Sequence, residues 1–315
     1  MDADFFQRHI AMLPAHYTSA ETSRVCLAYF AISALDLLKA PITAKQRADW
    51  RKCILQQFIA PSEHCNAHSG RVGFRGGPFL GCPRDHCGVW GSLDASHLTM
   101  TYTALNSLLI LSLDCNNIEP NQLSTTDCQN TQENLATGEK THTNNYPSQD
   151  HLFSSIQCNQ VASTQCKDPF AAVDSNSIIV SLSKLQMSDG SFLSSANSTE
   201  KDIRFLFCAC AVSYMLNDWK GVDISSAVSF IDSAQSYDGG FGQGPLQESH
   251  GGSTYCAIAS LVLMGKLHEL KRRQDVVRWL IARQKLGFHG RINKVDDTCY
   301  GFWIGGSLKV LILLM

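Results

Sequence analysis

Three stretches share one pattern: Gln186-Met-Ser-Asp-Gly-Ser-Phe192, Gln235-Ser-Tyr-Asp-Gly-Gly-Phe241 and Gln284-Lys-Leu-Gly-Phe-His-Gly290. Their glutamines, at 186, 235 and 284, stand 49 residues apart. A fixed period of this size marks stacked supersecondary units, each too small to bury its apolar face alone. An apolar segment precedes the glutamines, as at 178–185 and 276–281. Another follows each turn, at 204–216, 253–267 and 297–314, and both classes carry helical spacing. Asp189-Gly190 and Asp238-Gly239 suit a chain reversal, because Gly accepts a positive φ cheaply. Each unit therefore reads helix, Gly turn, loop, helix.

Fainter copies lie upstream. Thr101-Tyr102-Thr103-Ala104-Leu105 parallels Thr254-Tyr255-Cys256-Ala257-Ile258, and 21–38 is a further helix candidate with Ala, Leu and Ile on one face. Strand signals are scarce, so the expected class is all-α, an array of helical hairpins. The period alone leaves open whether the array closes into a ring. Residues 121–160 differ in kind: Asn, Gln, Ser and Thr fill 22 of these 40 positions without periodicity. Such a stretch buries too little apolar surface to offset its ordering entropy, so about 117–170 is expected to be a polar, disordered insertion. The segment 61–95, rich in Gly, Pro and Cys, reads as a long loop.

Composition narrows the class. The 315 residues are 44% apolar, enough for a sizeable core, and the net charge of −2 argues against a basic nucleic-acid surface. The start, Met1 to Arg8, is too polar for a secretory signal. The apolar stretch 302–315 is interrupted by Lys309 and falls short of the ~20 residues of a spanning helix. A soluble, cytoplasmic protein is expected. Of thirteen cysteines, Cys26, Cys208, Cys210 and Cys256 lie in helix-like apolar runs, where a thiol behaves as a small hydrophobe. The lack of a secretory signal argues against a disulfide framework.

Two clusters carry candidate chemistry. Glu248-Ser-His250-Gly251-Gly252-Ser253-Thr-Tyr-Cys256 opens a helix, and a His beside two glycines there is well placed for an anion. The competing reading is a capping motif with Ser253 as N-cap. In the second, 289–303, Arg291 and Lys294 are three apart and can reach one polyanion. Asp297 and Cys299, two apart at a helix start, offer a carboxylate and a thiolate to one Zn²⁺. A solvated basic loop, an Asp near a helix start and a core Cys explain the same residues. A separate zinc knuckle from His64, Cys65, His68, Cys82, His86 and Cys87 fits poorly in spacing.

Seven motifs, Glu21-Thr-Ser-Arg-Val-Cys26, Gly73-Phe-Arg-Gly76, Met100-Thr-Tyr-Thr-Ala104, Asp202-Ile-Arg-Phe205, His250-Gly-Gly-Ser-Thr254, His289-Gly-Arg291 and Asp297-Thr-Cys-Tyr300, closely resemble the beta subunits of protein geranylgeranyltransferase type I. The resemblance runs from about residue 5 to the end, apart from the insertion. It implies an α–α toroid of paired helices around an apolar funnel, working as a heterodimer with an alpha subunit. The implied reaction moves geranylgeranyl from its diphosphate to the Cys of a C-terminal Cys-aliphatic-aliphatic-X (CaaX) motif, X typically Leu, as in Rho-type small GTPases.

By position, Asp297 and Cys299 match the family's first two zinc ligands, with Tyr300 beside them as a further catalytic candidate. The implied geranylgeranyl diphosphate site comprises His250, Gly251, Gly252, Arg291, Ile292, Asn293, Lys294, Tyr300, Gly301, Phe302 and Trp303. Cys26, Arg204, Phe207 and Cys256 fall at the isoprenoid pocket. Cys26 stands where farnesyl-transferring relatives have Trp, so a small side chain there leaves room for a fourth isoprene unit.

The chain departs from the pattern in two ways. Ile292 and Asp296 differ from the family's usual residues, which include a Pro near Lys294. The family's third zinc ligand is a His in a further repeat, and no His follows His289. The closing repeat, with a residue that bears on Mg²⁺ dependence, does not follow Met315 either. The expectation is a C-terminally truncated fragment, splice form or misannotated gene end that holds Zn²⁺ weakly and has little activity. Alternatives are a non-catalytic subunit that still binds the alpha partner, a farnesyl- or Rab-type beta subunit, and a terpene cyclase. The cyclase needs an acidic run, for which Asp296-Asp297 is a poor match.

Overall fold

A computed structural model of the chain describes residues 3–61, 69–78, 95–112 and 168–313. The chain divides into two compact units, residues 1–111 with 168–315, and residues 112–167. The second unit lies beyond the described residues save Ser112, as do nearly all of the expected insertion at 117–170, the parts 62–68 and 79–94 of the expected loop at 61–95, and all of the Cys/His group at 64–87.

The first unit begins with α1 (Ala3–Ala11), a 3₁₀ helix (Ala15–Ser23), α2 (Arg24–Leu37) and α3 (Ala44–Leu55). Strands β1 (Phe58–Ile59) and β2 (Gly73–Phe74) pair antiparallel, Phe58 opposite Phe74, before α4 (Leu98–Ser112). Then come α5 (Ser175–Ser183), an antiparallel pair β3 (Phe192–Leu193) and β4 (Lys201–Asp202), α6 (Ile203–Met215) and α7 (Ile224–Ala234). Helix α8 (Gly251–Leu263), a 3₁₀ turn (Leu267–Glu269), α9 (Arg273–Ile281) and α10 (Cys299–Leu313) follow. The expected hairpins are present, and the four strands among the described residues are only two residues long.

The repeated glutamines close their turns as short bridges: Gln186 pairs with Phe192, Gln235 with Phe241 and Gln284 with Phe288. The third turn is tighter than the sequence alignment implies, because its Phe comes two positions earlier than in the other two. Gly190 and Gly239 take φ of 85° and 102°. A Cβ on Gly190 would collide with the Ser226 carbonyl in α7, and one on Gly239 would lie 2.6 Å from the Asp275 carbonyl in α9. Each turn thus seats on the next unit's outer helix.

The glutamine side chains complete the joint. Gln186 receives the N–H of Asp223 at 2.7 Å and donates to its carbonyl at 3.0 Å, and Asp223 is the N-cap of α7. Gln235 accepts from Arg272, which occupies the same place before α9. Phe74, Phe192 and Phe241 are fully buried, each contributing roughly 1.5–3 kcal/mol of burial. The threonines of the two parallel motifs act alike: Thr101 accepts the N–H of Phe74 and Thr254 that of Phe241, both at 3.0 Å.

Helices α6, α8 and α10 pack side by side as an inner layer, with α7 on α6 and α9 on α10 outside it. The layers differ as their sequences require. Helix α7 buries one stripe, Ala227, Phe230, Ile231 and Ala234, whereas α6 is buried nearly all round. In α4, α6 and α8 the first N–H, which lacks an intrahelical partner, goes to a carbonyl of the following unit. Leu98 bonds Ser194, Ile203 bonds Gln243 and Gly251 bonds Gly290. Among the described residues no helix is long and apolar enough to cross a membrane.

Candidate functional site

The site assembles where α8 and α10 begin. His250 is the N-cap of α8, and its Nδ1 accepts from the N–H groups of Gly252 at 3.0 Å and Ser253 at 3.4 Å. The capping reading is therefore met by His250, and Ser253 lies inside the helix. With Nδ1 an acceptor, the ring proton sits on Nε2, which donates to the Tyr300 phenol oxygen at 2.9 Å. The phenol's own hydrogen is not used in that bond. Burial pushes the His250 pKa down, Arg291 adds to this and Glu248 opposes it, so the neutral ring is favoured.

The glycines of this cluster answer to close approach. A Cβ on Gly251 would lie 2.9 Å from Ile304 and 3.0 Å from the Tyr300 ring, and one on Gly252 3.1 Å from His250. At Gly290 a Cβ would overlap the Tyr300 phenol outright. These three positions let two helix starts and one loop meet around His250 and Tyr300.

Arg291 lies beside this pair, with Nη1 3.4 Å from Glu248 Oε2 and both side chains largely exposed. Its charge acts on both His250 and Tyr300. Lys294 shares a turn with Arg291 through its N–H, at 3.4 Å, and its side chain makes no hydrogen bond or ion pair among the described residues. Asn293 sits between them at φ 61°, and Ile292 is 48% exposed. The structure therefore brings His250, Arg291 and Tyr300 together and leaves Lys294 exposed on the turn that carries Arg291. Two helix N-termini face this cluster, adding positive potential for an anion.

Asp297 and Cys299 are adjacent and exposed. Asp297 Oδ1 accepts the Cys299 N–H at 2.9 Å. That bond, with one from the thiol, holds the carboxylate pKa down, while burial and Asp297 push the thiol up. A carboxylate and a thiol side by side suit a borderline-soft divalent ion and fit two positions of a zinc shell. No group of three or more His, Cys, Asp and Glu able to hold a metal occurs among the described residues, so the fit is to part of a shell.

From this mouth an aromatic row crosses the inner helices. Ring centroids lie 6.0 Å apart for Tyr29–Tyr102, 5.5 Å for Tyr102–Phe207, 6.0 Å for Phe207–Tyr255 and 5.2 Å for Tyr255–Trp303, with Phe302 5.0 Å from Tyr255. Tyr102, Phe207, Tyr255 and Trp303 are each the fifth residue of their helix, so they come into line when the units stack. Tyr29, Tyr102 and Tyr255 were not among the sequence candidates. The register of helix starts that reveals them was not fixed by the sequence pattern.

Half-buried Cys26 and buried Cys208 and Cys256 lie near one another, and burial raises all three pKa values. Neutral thiols suit an apolar lining. Arg204 forks onto Asp202 through Nε at 3.0 Å and 3.1 Å and onto Glu200 at 3.1 Å, and its charge reaches His250. Gly301 and Gly305 face open space.

A family model for the prenyltransferase alpha-alpha toroid domain matches residues 1–145 and 125–314. The geranylgeranyl transferase type-1 subunit beta of Dictyostelium discoideum is 36% identical over 320 residues, spanning 98% of this chain and 75% of that protein. The protein of the same name in Arabidopsis thaliana is 35% identical over 316 residues, spanning 95% and 68%. The solved Candida albicans protein geranylgeranyltransferase-I complexed with GGPP superposes with a TM-score of 0.69 at 23% identity, over 99% of this chain and 76% of the other, a likeness of fold. The chain therefore belongs to the prenyltransferase α–α toroid family and, within it, to the beta subunits of type-1 geranylgeranyl transferases.

Proposed function

We propose that this chain, paired with an alpha subunit in the cytoplasm, transfers geranylgeranyl from its diphosphate to the cysteine of C-terminal CaaX motifs, X typically Leu, on small GTPases. One observation carries the reading. An anion-seeking cluster, His250, Tyr300 and Arg291, stands at the end of an aromatic row fit for a long apolar chain. A prenyl diphosphate has this shape: a polyanionic head on an isoprenoid tail.

In the reaction a bond forms between the substrate sulfur and C1 of the prenyl group, the C1–O bond breaks, the diphosphate leaves and the thiol proton goes to solvent. Arg291 and Lys294 meet the charge that gathers on the leaving group, and the Tyr300 hydroxyl, oriented by His250, donates to it. The wall of Tyr102, Phe207, Tyr255 and Trp303 holds the tail and excludes water. Cys26 keeps the far wall small enough for a C20 chain. Asp297 and Cys299, with further donors, would hold Zn²⁺, which when bound favours the substrate thiolate over a thiol of ordinary pKa about 8.5.

The test is steady-state transfer by the heterodimer with labelled geranylgeranyl and farnesyl diphosphates and peptides ending in Leu or Ser. Preference for the C20 donor and the Leu peptide is expected. Faster transfer from the C15 donor would overturn the assignment. Elemental analysis of the same heterodimer should show zinc that falls in Cys299→Ser and Asp297→Asn. A second reading, a non-catalytic partner of the alpha subunit, is favoured by the two-donor metal site alone. A stable heterodimer without transfer would establish it.

A further inference from the structure

Residues 287–297 leave α9 and return to α10 as a loop bearing both Arg291 and Asp297. Every residue from Arg291 to Cys299 is exposed, so burial does little to hold its shape. Ile292 and Val295 are 48% and 85% exposed. Backbone bonds supply part of the closure: Lys294 N–H to Arg291 at 3.4 Å, Asp297 N–H to Phe288 at 3.0 Å, and Gly251 N–H to Gly290 at 2.9 Å. One side chain bonds across the loop from end to end. Asp296 Oδ2 accepts the N–H of Gly287 at 2.8 Å. Its other oxygen lies 3.5 Å from Nδ1 of His289, a ring that is 3% exposed. Gly287 makes room for this contact, since a Cβ there would sit 3.3 Å from the Asp296 Cβ.

We propose that Asp296 is a positioning residue: its carboxylate staples the entry of the 287–297 loop to its exit and so fixes Arg291 against His250 and Tyr300. It acts through the loop and touches no substrate. A carboxylate accepting a backbone N–H makes a charge-assisted bond, stronger than a neutral one. It joins residues nine apart, a span the exposed loop would otherwise explore freely. The role in catalysis rests on the diphosphate reading given above, whereas the staple itself does not.

Two measurements on the heterodimer test it, with Asp296→Ala and Asp296→Asn. In Asp296→Ala, amide hydrogen exchange over 287–297 should rise roughly tenfold, with exchange in α6 unchanged. The KM for geranylgeranyl diphosphate should rise about tenfold while the KM for the peptide stays within about twofold. Asp296→Asn keeps an oxygen for the Gly287 N–H and should restore most of both. Unaltered loop exchange in Asp296→Ala overturns the staple. A fall in kcat with unchanged KM, or an Asn variant as impaired as Ala, overturns the positioning role. If the wild type binds no geranylgeranyl diphosphate while loop exchange rises in Asp296→Ala, the staple stands and the transferase reading falls.

Discussion

The His250 imidazole donates through Nε2 to the Tyr300 phenol oxygen at 2.9 Å, across 50 residues of sequence, while its Nδ1 caps the helix that it begins. One ring thereby performs two tasks that a substitution can separate. His250→Asn should keep the cap, since Asn is among the best N-cap residues, yet lose the bond to Tyr300. Its melting temperature should stay near that of the wild type while affinity for geranylgeranyl diphosphate falls about tenfold. His250→Ala should lose affinity and also about 1 kcal/mol of stability. Calorimetry and ligand titration on the two variants check this, and equal destabilisation by both would contradict it.

The turn glycines make a contrast in thermal stability. Gly190→Ala forces a Cβ into the Ser226 carbonyl at a φ of 85°, and should cost at least about 2 kcal/mol. Gly305→Ala, inside α10 and facing open space, should stabilise by roughly 0.5–1 kcal/mol. Denaturant midpoints with unchanged m-values would report both.

Donor length is tested at Cys26, which packs half-buried against the core beside Cys208. Cys26→Trp fills the far wall. The ratio of kcat/KM for farnesyl over geranylgeranyl diphosphate should rise by about tenfold or more. An unchanged ratio would mean that the tail does not reach this helix.

Acid should weaken the fold through its histidines. Burial is the main cause of the depressed pKa at both His250 and His97, with Arg291 adding and Glu248 opposing at the first, and Glu200 opposing and Arg204 adding at the second. A depressed folded value means that the unfolded chain binds more protons below the ordinary value of 6.5. The contribution is full above that value and is lost as pH falls through the folded pKa. Urea midpoints should be flat between about pH 7 and 8 and decline below about 6.5, and His250→Asn should flatten the decline.

The fold was legible because its signal is local and repeated: Gln recurs every 49 residues in three turns, and Asp-Gly and Phe follow it in register in the first two. What the glutamine does was not legible. Its partner, the N-cap of the next outer helix, lies 37 residues on and shows no motif of its own at Arg272. At the candidate site, His250, Arg291 and Tyr300 were visible as residue types and through family resemblance, and their convergence on one point required the stacking of α8 on α10. His250 as cap was missed because propensity favours Ser253. Asp296 stood out only as an oddity, since its value lies in a hydrogen bond to Gly287.

Helices α4, α6 and α8 lean on what comes after them: Leu98, Ile203 and Gly251 each hand a first N–H to a carbonyl downstream. This gives the array a direction of dependence. A protease nick in the loop at Gly290 would reach upstream, to the start of the helix where His250 sits, because Gly290 holds the Gly251 N–H. A cut in one loop therefore also removes a partner from the helix start of the unit before it.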